Sequence, residues 1–280
     1  MISDYKYDIT GSIVLFKNDP ETVRLVIDSF LDTSLDVKLF LIDNSPNESL
    51  KGLLLTEGNE RIEYFFNNEN KGFGRAHNQV LLDAPQTSKY HLVLNPDLYF
   101  DGSILSDIFE FMEHNENVGQ LMPKVLYPDK SVQYLCKPLP RPIDLILRFI
   151  VPFETPGKKK FELRFFNYSQ IANIPYLSGC FMFLRSSVIK DIGGFDENIF
   201  MYLEDGDLSR RIHRKYKTLF YPNVQVTHEH NKESFRSLKL MIIHIKAVIY
   251  YFNKYGWFFD KERKIINKKL IKELKQKQNR

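Results

Sequence analysis

The chain has 280 residues, enough for one large domain or two small ones with a sizeable core. Hydrophobic residues make up 43% and charged residues 26%, a balance that is ordinary for a globular protein and excludes a disordered chain, a collagen-like chain and a coiled coil. The net charge of +4 is modest and no nucleic-acid-binding motif accompanies it, so we expect no nucleic-acid partner.

The first 125 residues alternate between apolar runs typical of buried strands and patterns typical of helices. Strands are predicted at Ile9–Phe16, Val37–Ile42, Arg61–Phe66, His91–Leu94 and Gly119–Val125. Helices are predicted from Pro20, after the glycines at 72–74 and over Ser103–His114. Strands that alternate with helices indicate an α/β fold with a doubly wound, mainly parallel sheet and helices on both faces.

The pattern weakens between Lys137 and Asn173, where proline, lysine and aromatic residues predict an irregular segment that touches an acceptor or becomes ordered only on binding. Regular elements then return as a strand at Ile174–Leu184 broken at Ser178 and Gly179, a helix over Leu203–Tyr216, a strand at Thr218–Thr227 and an aromatic helix over Phe235–Phe259. We therefore predict a main domain over residues 1–235, with halves at 1–125 and 126–235, and a helical C-terminal extension over 236–280.

Positive charge is concentrated at the end of the chain. Residues 261–280 carry a net charge of +7, so the other 260 residues sum to −3. Such a tail favours either an anionic surface, such as a membrane leaflet, or a solvated helix end. The preceding stretch, Leu238–Phe252, is apolar but is interrupted by Lys239, His244 and Lys246. It fits either a helix in a membrane interface or a helix packed on the main domain.

The cysteine content and the start of the chain bear on its compartment. Cys136 and Cys180 are too few for a disulfide framework, and they predict a reducing compartment. The polar residues 1–6 predict no secretory leader, and the lack of a run of 18 apolar residues predicts no membrane span. We expect a cytoplasmic protein, with peripheral attachment to the inner face of the cell membrane as the alternative that the basic tail leaves open.

Polar residues stand where four of the predicted strands end. These exits are Phe16–Asn18, Asp43–Ser45, Asn67–Gly74 and Asn95–Asp97. Asn and Asp are common turn residues, so turn chemistry explains each exit alone equally well. Ligands bind beyond the carboxyl ends of the strands in open parallel sheets, and four polar exits together therefore predict one binding rim.

Carboxylates in two places suit a reaction centre. Asp97, at the end of a buried strand, fits a divalent cation that also binds a diphosphate, although a simple turn is the alternative. Glu204, Asp205 and Asp207 stand at the start of a helix, where the helix dipole explains one or two acids. They also follow four large apolar or aromatic residues, which favours a general base on a partly dry rim.

Zinc and NAD sites are both disfavoured. His228 ends the last predicted strand and could complete a metal site, although a lone histidine is more often structural. His228 and His230 superficially suggest zinc, but no cysteine or third histidine stands nearby. No Gly-x-Gly-x-x-Gly follows the first strand, where Phe16–Pro20 stands, and this argues against an NAD-dependent oxidoreductase.

The order of these motifs resembles the nucleotide-sugar-dependent glycosyltransferases of family 2, which have the GT-A fold, and most of all their bacterial rhamnosyltransferase-like members. The matching segments are Phe16–Asn18, Asp43–Ser45, Asn70–Asn78, Leu94–Asp97, Ser178–Met182, Gly193–Asp196, Glu204–Leu208 and His228. They span residues 8–235, and their combination and order are far more specific than any single motif. The resemblance implies that the half at 1–125 binds the nucleotide sugar and that the half at 126–235 carries the acceptor side.

The resemblance also implies roles for individual residues. The nucleotide sugar would be bordered by Phe16, Asn18, Asp43, Asn70, Gly72, Asn78, Asn95 and Asp97. Asp43 would hydrogen-bond a pyrimidine base, and Asp97 with His228 would bind Mg²⁺ or Mn²⁺. Asp205 would be the catalytic base, with Glu204 beside it. Ser178 and Gly179 would border the acceptor.

One departure concerns the metal. The family's motif is often Asp-x-Asp, whereas this chain has Asn95 at the first position. One carboxylate fewer weakens cation binding or leaves more of the coordination to diphosphate and water. Strict metal dependence is therefore less firmly implied than the fold.

The implied activity is an inverting transfer of rhamnose from a dTDP-sugar to a saccharide or lipid-linked saccharide in bacterial surface polysaccharide synthesis. Two alternatives remain open on the sequence: transfer of a galactosyl, glucosyl or N-acetylglucosaminyl group, and a non-catalytic homologue that binds the nucleotide sugar. Intact Glu204, Asp205 and Asp97 argue against the non-catalytic alternative.

Overall fold

The computed structural model describes residues 5–54, 59–145, 154–229 and 238–278. The strands are β1 (Tyr7–Leu15), β2 (Val37–Asp43), β3 (Ile62–Phe66), β4 (Ser88–Leu94), β5 (Leu98–Tyr99), β6 (Val118–Leu126), β7 (Cys136–Lys137), β8 (Ala172–Asn173), β9 (Tyr176–Leu177), β10 (Phe181–Arg185) and β11 (Lys217–His228). The helices are α1 (Pro20–Leu31), α2 (Lys51–Leu54), α3 (Phe73–Leu81), α4 (Ala84–Thr87), α5 (Ser103–Glu113), α6 (Pro156–Phe161), α7 (Ser186–Ile192), α8 (Glu204–His213), α9 (Leu238–Tyr255) and α10 (Lys261–Gln278).

A central sheet with the strand order β3-β2-β1-β4-β10-β6-β11-β5 organises the fold, and β8 pairs with β11. Strands β1 to β4 pair in parallel, as do β6 and β11. Strand β10 runs antiparallel to both β4 and β6, so the sheet is mixed, and its two predicted halves share it. Phe181, the first residue of β10, pairs with Leu94, the last residue of β4. The loop before β10 therefore lies at the carboxyl end of β4.

Helices cover both faces of the sheet, as predicted. On β4, Leu92 and Leu94 face a core that includes α1 and α5. Val93, between them, faces the opposite core, which includes α7 and α8. This alternation follows from the two-residue period of a strand. Helix α1 begins where the sequence predicts it to begin, because the side chain of Asp19 accepts a hydrogen bond from the Thr22 N–H.

The segment between Lys137 and Asn173 is more regular than predicted. Residues 146–153 lie outside the described part, but in the remainder α6 begins at Pro156 after the capping side chain of Thr155. Leu163, Phe166 and Tyr168 are buried in one cluster with residues of α10. The prediction that this segment becomes ordered only on binding is therefore wrong for the part that the structure describes. The aromatic side chains of that part are buried within the fold and need no ligand to order them. The interruption at Ser178 and Gly179 separates β9, which pairs with β7, from β10 in the central sheet.

The C-terminal helices pack against the rest of the fold. Val248, Tyr251 and Phe252 of α9 share a core cluster with Leu145, Phe161, Tyr176 and Leu203. The buried Arg210 of α8 pairs with Asp260 at 2.8 Å and with Glu262 at 2.5 Å. Packing of the aromatic helix on the main domain, one of the two interpretations from the sequence, is thus what the structure has. Across the described ranges, none of the helices has the length and apolar character needed to cross a membrane.

Candidate active site

One short loop brings the two predicted carboxylates to the same edge of the sheet. The Gly179 N–H donates to the Oδ2 atom of Asp205 at 2.9 Å. The next residue, Cys180, accepts from the Asn95 N–H through its carbonyl oxygen, also at 2.9 Å. Burial, with smaller contributions from the charges of Asp97 and Asp205, raises the pKa of the Cys180 thiol to about 12. Asp97 and Asp205 therefore lie on either side of the same loop, and we call the space that they border the cleft.

Three donors fix the orientation of the Asp205 carboxylate. Besides Gly179, the Tyr176 hydroxyl donates to Oδ1 at 3.1 Å, and the Gly206 N–H donates to Oδ1 at 2.7 Å. Asp205 remains half-buried rather than enclosed. A Cβ atom on Gly179 would lie 3.1 Å from the Cβ atom of Asp205. A side chain at this position would therefore press on Asp205 and require it to shift by a few tenths of an ångström.

Backbone strain precedes Asp205. Tyr202 and Leu203 have φ values of 73° and 69°, a left-handed conformation that costs a non-glycine residue on the order of 1–3 kcal/mol. Packing against α9 compensates for this strain, because Leu203 lies in the α9 core cluster and the Tyr202 ring stacks on His244 with centroids 4.6 Å apart. Helix α9 therefore helps to set where α8 begins and where its first acids lie.

Glu204 differs from its neighbour. Its side chain is buried, and within the described residues its Oε2 atom has no hydrogen-bond partner. Burial, followed by the charge of Asp205, raises the Glu204 pKa well above its ordinary value. A raised pKa favours the neutral form of Glu204, and a neutral carboxyl group does not act as a base.

A hydrogen-bond network orients His228 toward Asp97. The amide nitrogen of Gln133 donates to the His228 carbonyl oxygen at 2.7 Å. The other end of the same amide, Oε1 of Gln133, can only accept, so Nδ1 of His228 carries the hydrogen and donates it at 3.0 Å. This tautomer presents the lone pair of Nε2 to the Asn95 amide at 3.3 Å and to Oδ1 of Asp97 at 3.1 Å. Nε2 and Oδ1 both carry lone pairs, so a proton or a cation is needed to join them.

This donor set fits a divalent cation only in part. One carboxylate oxygen and one imidazole nitrogen converge, and Gln133 supplies the outer hydrogen bond that such a histidine usually has. In the described part of the chain, no group of three or more His, Cys, Asp and Glu residues could hold a metal. A bound cation would therefore take its other ligands from a diphosphate and water.

The exits of β1 and β2 form one edge of the cleft. The Phe16 ring is 46% exposed, and the Phe16 N–H donates to the Asn18 side chain at 2.7 Å. Lys17 has a φ of 56°, and its N–H donates to the Ser45 hydroxyl at 2.9 Å. The turn therefore leaves a flat aromatic surface open to solvent.

Asp43 is placed differently from the prediction of direct base contact. It is fully buried, and its carboxylate accepts from the Ser45 N–H at 2.8 Å and from the Tyr64 hydroxyl. Burial, and then Asp43 itself, raises the pKa of Tyr64. The pyrimidine base of a nucleotide would reach Asp43 only if one of these partners moved. In this structure Asp43 instead holds Ser45 and Tyr64 in place at this edge of the cleft.

Asparagine side chains hold the next loop. The Asn44 amide donates to the Gly72 carbonyl oxygen at 3.1 Å, and the Asn67 amide donates to the Asn44 oxygen at 2.8 Å. The Asn70 side chain accepts from the Gly72 N–H at 3.0 Å. Gly72 has a φ of 82°, and a Cβ atom there would lie 2.2 Å from the Phe200 carbonyl oxygen. The donor-side loop and the segment before α8 thus meet at a position that only glycine fits.

The prediction that Asn78 borders the nucleotide sugar needs correction. Its Oδ1 atom accepts from the Phe195 N–H at 2.9 Å. Its Nδ2 atom donates to the Phe195 carbonyl oxygen at 2.9 Å and to Glu197 at 3.1 Å. Both amide hydrogens are used and the side chain is buried, so Asn78 fastens the loop at 195–197 and has no donor left for a ligand.

Three contributors have no clear signal in the sequence. Tyr176 and Gln133 lie 29 and 95 residues from the partners that they orient, Asp205 and His228. The third, His244, interrupts an apolar helix and there resembles a solvent-facing polar residue, yet it stacks on Tyr202. Of Ser178 and Gly179, which are predicted on the acceptor side, Gly179 contacts Asp205 directly.

Comparison with known proteins identifies relatives of this chain. The family model described as Glycosyl transferase family 2 matches residues 12–193. Over 228 residues the chain is 24% identical to an N-acetylglucosaminyl-diphospho-decaprenol L-rhamnosyltransferase of Mycobacterium tuberculosis (strain ATCC 25618 / H37Rv). The match covers 77% of this chain and 74% of that protein. It is 27% identical over 189 residues to rhamnosyltransferase WbbL of Escherichia coli (strain K12), with 64% of this chain and 69% of WbbL covered.

A solved structure shares the fold. The mannosyltransferase PcManGT from Pyrobaculum calidifontis, in complex with GDP-Man and Mn²⁺, superposes with a TM-score of 0.58 at 14% identity. The match covers 89% of this chain and 64% of that one. The chain thus spans less than two thirds of the length of this structural neighbour.

Proposed function

We propose that this chain, which belongs to glycosyl transferase family 2 and is a nucleotide-sugar-dependent glycosyltransferase with the GT-A fold, transfers rhamnose from a dTDP-sugar with inversion. The acceptor is a saccharide or lipid-linked saccharide of a bacterial surface polysaccharide. The names of both relatives reported above support rhamnose, and one of them names a diphospho-decaprenol acceptor. The observation that carries the proposal is the loop at 178–180, which joins Asp205 to the carboxyl end of β4.

Asp205 acts as the general base. It takes the proton of an acceptor hydroxyl while that oxygen forms a bond to the anomeric carbon and the bond to the nucleoside diphosphate breaks. The donors from Tyr176, Gly179 and Gly206 keep the carboxylate aimed at the hydroxyl without a change of rotamer. The raised pKa of Glu204 favours its neutral form, so Glu204 adds no second negative charge beside the base.

In this proposal Asp97 and His228 would hold Mg²⁺ or Mn²⁺. When bound there, such a cation would supply positive charge beside the leaving diphosphate. Gln133 fixes the imidazole in the tautomer that binds metal, and Asn95 contributes an amide donor beside Nε2. With one carboxylate at the site, we expect the cation to bind weakly until the donor diphosphate is present.

The nucleotide lies along the exits of β1 to β3. The exposed Phe16 ring offers a face on which a pyrimidine stacks, and Asn18 holds the turn that presents it. Asp43 supports this edge through Ser45 and Tyr64. Asn70 and Gly72 shape the loop beside the donor sugar. Ser178 and Gly179 border the acceptor, and the enzyme works as a peripheral protein on the inner face of the membrane.

The donor proposal is tested with a panel of nucleotide sugars. dTDP-rhamnose, UDP-glucose, UDP-galactose and UDP-N-acetylglucosamine are compared for thermal stabilisation of the full chain with Mg²⁺ or Mn²⁺ and for release of nucleoside diphosphate. A ligand at 100 times its dissociation constant adds about 2.7 kcal/mol to the free energy of unfolding. We expect the largest effect from dTDP-rhamnose. A response to a UDP-sugar alone contradicts the rhamnosyl assignment, and stabilisation by a donor without turnover on any acceptor favours a non-catalytic homologue.

A further inference from the structure

Helix α9 is apolar on two sides. One side is buried against the main domain through His244, Ala247, Val248, Tyr251 and Phe252. The other side faces solvent and carries the residues that we call the apolar stripe: Leu238, Met241, Ile242, Ile245 and Ile249. Their spacing of three and four residues places them along one face, with exposed fractions of 38–68%. An outward helix face in a globular protein normally carries polar residues, so the stripe indicates a further contact.

Two further apolar side chains are exposed in the connection that follows α9. Phe258 and Phe259, between α9 and α10, are 79% and 96% exposed. Single exposed apolar residues are common, but packing on the described part of the chain does not explain two adjacent rings that are almost wholly in solvent. Phenylalanine is one of the residues with which amphipathic helices enter the interface between water and lipid.

Exposed lysines stand on both C-terminal helices. Helix α9 contains no Asp or Glu, and the exposed Lys239 and Lys246 flank the stripe. One face of α10 carries five exposed lysines, spaced three or four residues apart: Lys261, Lys264, Lys268, Lys272 and Lys275. The opposite face is buried through Arg263, Leu270 and Leu274. None of the ion pairs found between described residues involves these five lysines, so their charge is available to an anionic partner.

The helix that carries the stripe also contacts the segment before the candidate base. A cavity of about 330 Å³ lies between α9 and the loop before α8 and is lined by Asn198, Phe200, Ile243, Lys246 and Ala247. On the buried side of α9, His244 stacks on Tyr202, three residues before Asp205. A surface that docked on the stripe would therefore bind the helix that positions this segment.

We propose that the apolar stripe, together with Phe258 and Phe259, inserts into the interface of an anionic lipid bilayer while the lysine face of α10 lies against the headgroups. A second copy of the chain is a poorer partner, because a two-fold contact sets the same patch on both subunits and brings the lysines near one another. The inference rests on the proposed function in one respect: membrane binding brings the enzyme to its acceptor only if that acceptor is linked to a lipid. The surface itself is independent of the donor.

Vesicle flotation of the full chain tests this surface. The vesicles contain phosphatidylcholine alone or phosphatidylcholine with phosphatidylglycerol, at low and high salt. We expect flotation with the anionic vesicles and a loss of about tenfold or more with neutral vesicles or high salt, because screening weakens the lysine contacts. Failure of the wild-type chain to float with anionic vesicles at low salt overturns the proposal.

Substitutions separate the elements of the surface. Ile242→Ser with Ile245→Ser, Phe258→Ser with Phe259→Ser, and Lys264→Gln with Lys268→Gln and Lys272→Gln should each lower binding to anionic vesicles about tenfold or more. The matched control is Leu25→Ser with Leu82→Ser, since both leucines are about half exposed elsewhere on the fold, and it should float like the wild type. Unchanged flotation of the isoleucine and phenylalanine variants overturns the insertion.

Two further measurements make the outcomes distinct. Stabilisation by the nucleotide sugar should persist in every variant, so a failed surface and a failed donor assignment give different results. Light scattering on the free protein reports its oligomeric state. A dimer that the isoleucine substitutions convert to monomers identifies the stripe as a contact between copies of the chain and overturns the lipid assignment.

Discussion

The donor edge and the acceptor side of the cleft are held in different ways. At the donor edge, the exits of β1, β2 and β3 are fixed by short side chains that bond to nearby backbone, as Asn18, Asn44 and Asn70 do. On the acceptor side, Asp205 depends on contacts from distant parts of the chain. Lys254 of α9 bridges Asp196 and the buried Asp207, each at 2.6 Å. Donor binding should therefore survive changes that abolish transfer, and this difference can be tested.

Asp205→Asn should separate the two regions most strongly. Loss of the general base lowers turnover by about 10²–10⁴-fold, while stabilisation by the nucleotide sugar stays close to the wild-type value. Product release and thermal stabilisation are measured on the same preparation. Asp191→Asn is the control, because that acid pairs with Lys215 on the surface and should leave both quantities unchanged. Full activity of Asp205→Asn would falsify the assignment of the base.

Gly72→Ala should damage the point where the two regions meet. The new Cβ atom would lie 2.2 Å from the Phe200 carbonyl oxygen at a φ of 82°, so both overlap and backbone strain oppose it. We expect a loss of about 3 kcal/mol or more in the free energy of unfolding by urea. Gly52→Ala, where a Cβ atom meets nothing within 4 Å, should change it by less than about 1 kcal/mol. Equal effects of the two substitutions would refute the close approach.

Gln133→Leu tests the metal side of the cleft. It removes the acceptor that holds Nδ1–H of His228, and loss of such an outer hydrogen bond lowers metal affinity by about 10–100-fold. The readout is the Mn²⁺ concentration needed for half of the stabilisation by the nucleotide sugar. Gln120→Leu is the matched control, because Gln120 is also buried, and within the described chain its side chain has no hydrogen-bond partner. If both variants need the same Mn²⁺ concentration, Gln133 has no part in metal binding.

Glu204→Gln sharpens the contrast between the neighbouring acids. The Glu204 pKa is raised in the folded chain, so its contribution to stability is complete below the ordinary value of 4.5 and is lost as the pH rises toward the folded pKa. In that window the loss reaches at most about 1.4 kcal/mol per pH unit. The glutamine variant should lack this slope and be more stable than the wild type near neutral pH. Urea unfolding at several pH values measures this dependence of the free energy of unfolding on pH. Glu63→Gln is the control, because the Glu63 side chain is exposed. Identical slopes for wild type and variant contradict a neutral Glu204.

The sequence predicts those parts of the fold that depend on neighbouring residues. The start of α1 at Pro20, the polar exit at Asn95–Asp97 and the break at Gly179 follow from local caps, turns and hydrophobic periods. That the polar strand ends lie at one edge of the sheet follows from the parallel strands, whose carboxyl ends meet at the edge where ligands bind. What the sequence does not predict depends on distance along the chain. Asn78 binds Phe195, 117 residues away, and the burial of Asp43 beneath Tyr64 likewise needs the folded chain.

The order of strands also has a consequence for how the chain acquires its structure during synthesis. Strand β6 has no partner among the strands made before it, because its two neighbours are β10 and β11. While the ribosome is still translating residues 127–180, both edges of β6 and one edge of β4 lack their partners. Unpaired strand edges promote aggregation, and at about 5–20 residues per second this interval lasts several seconds. We therefore expect the nascent chain to rely on chaperones until β10 emerges and closes the middle of the sheet.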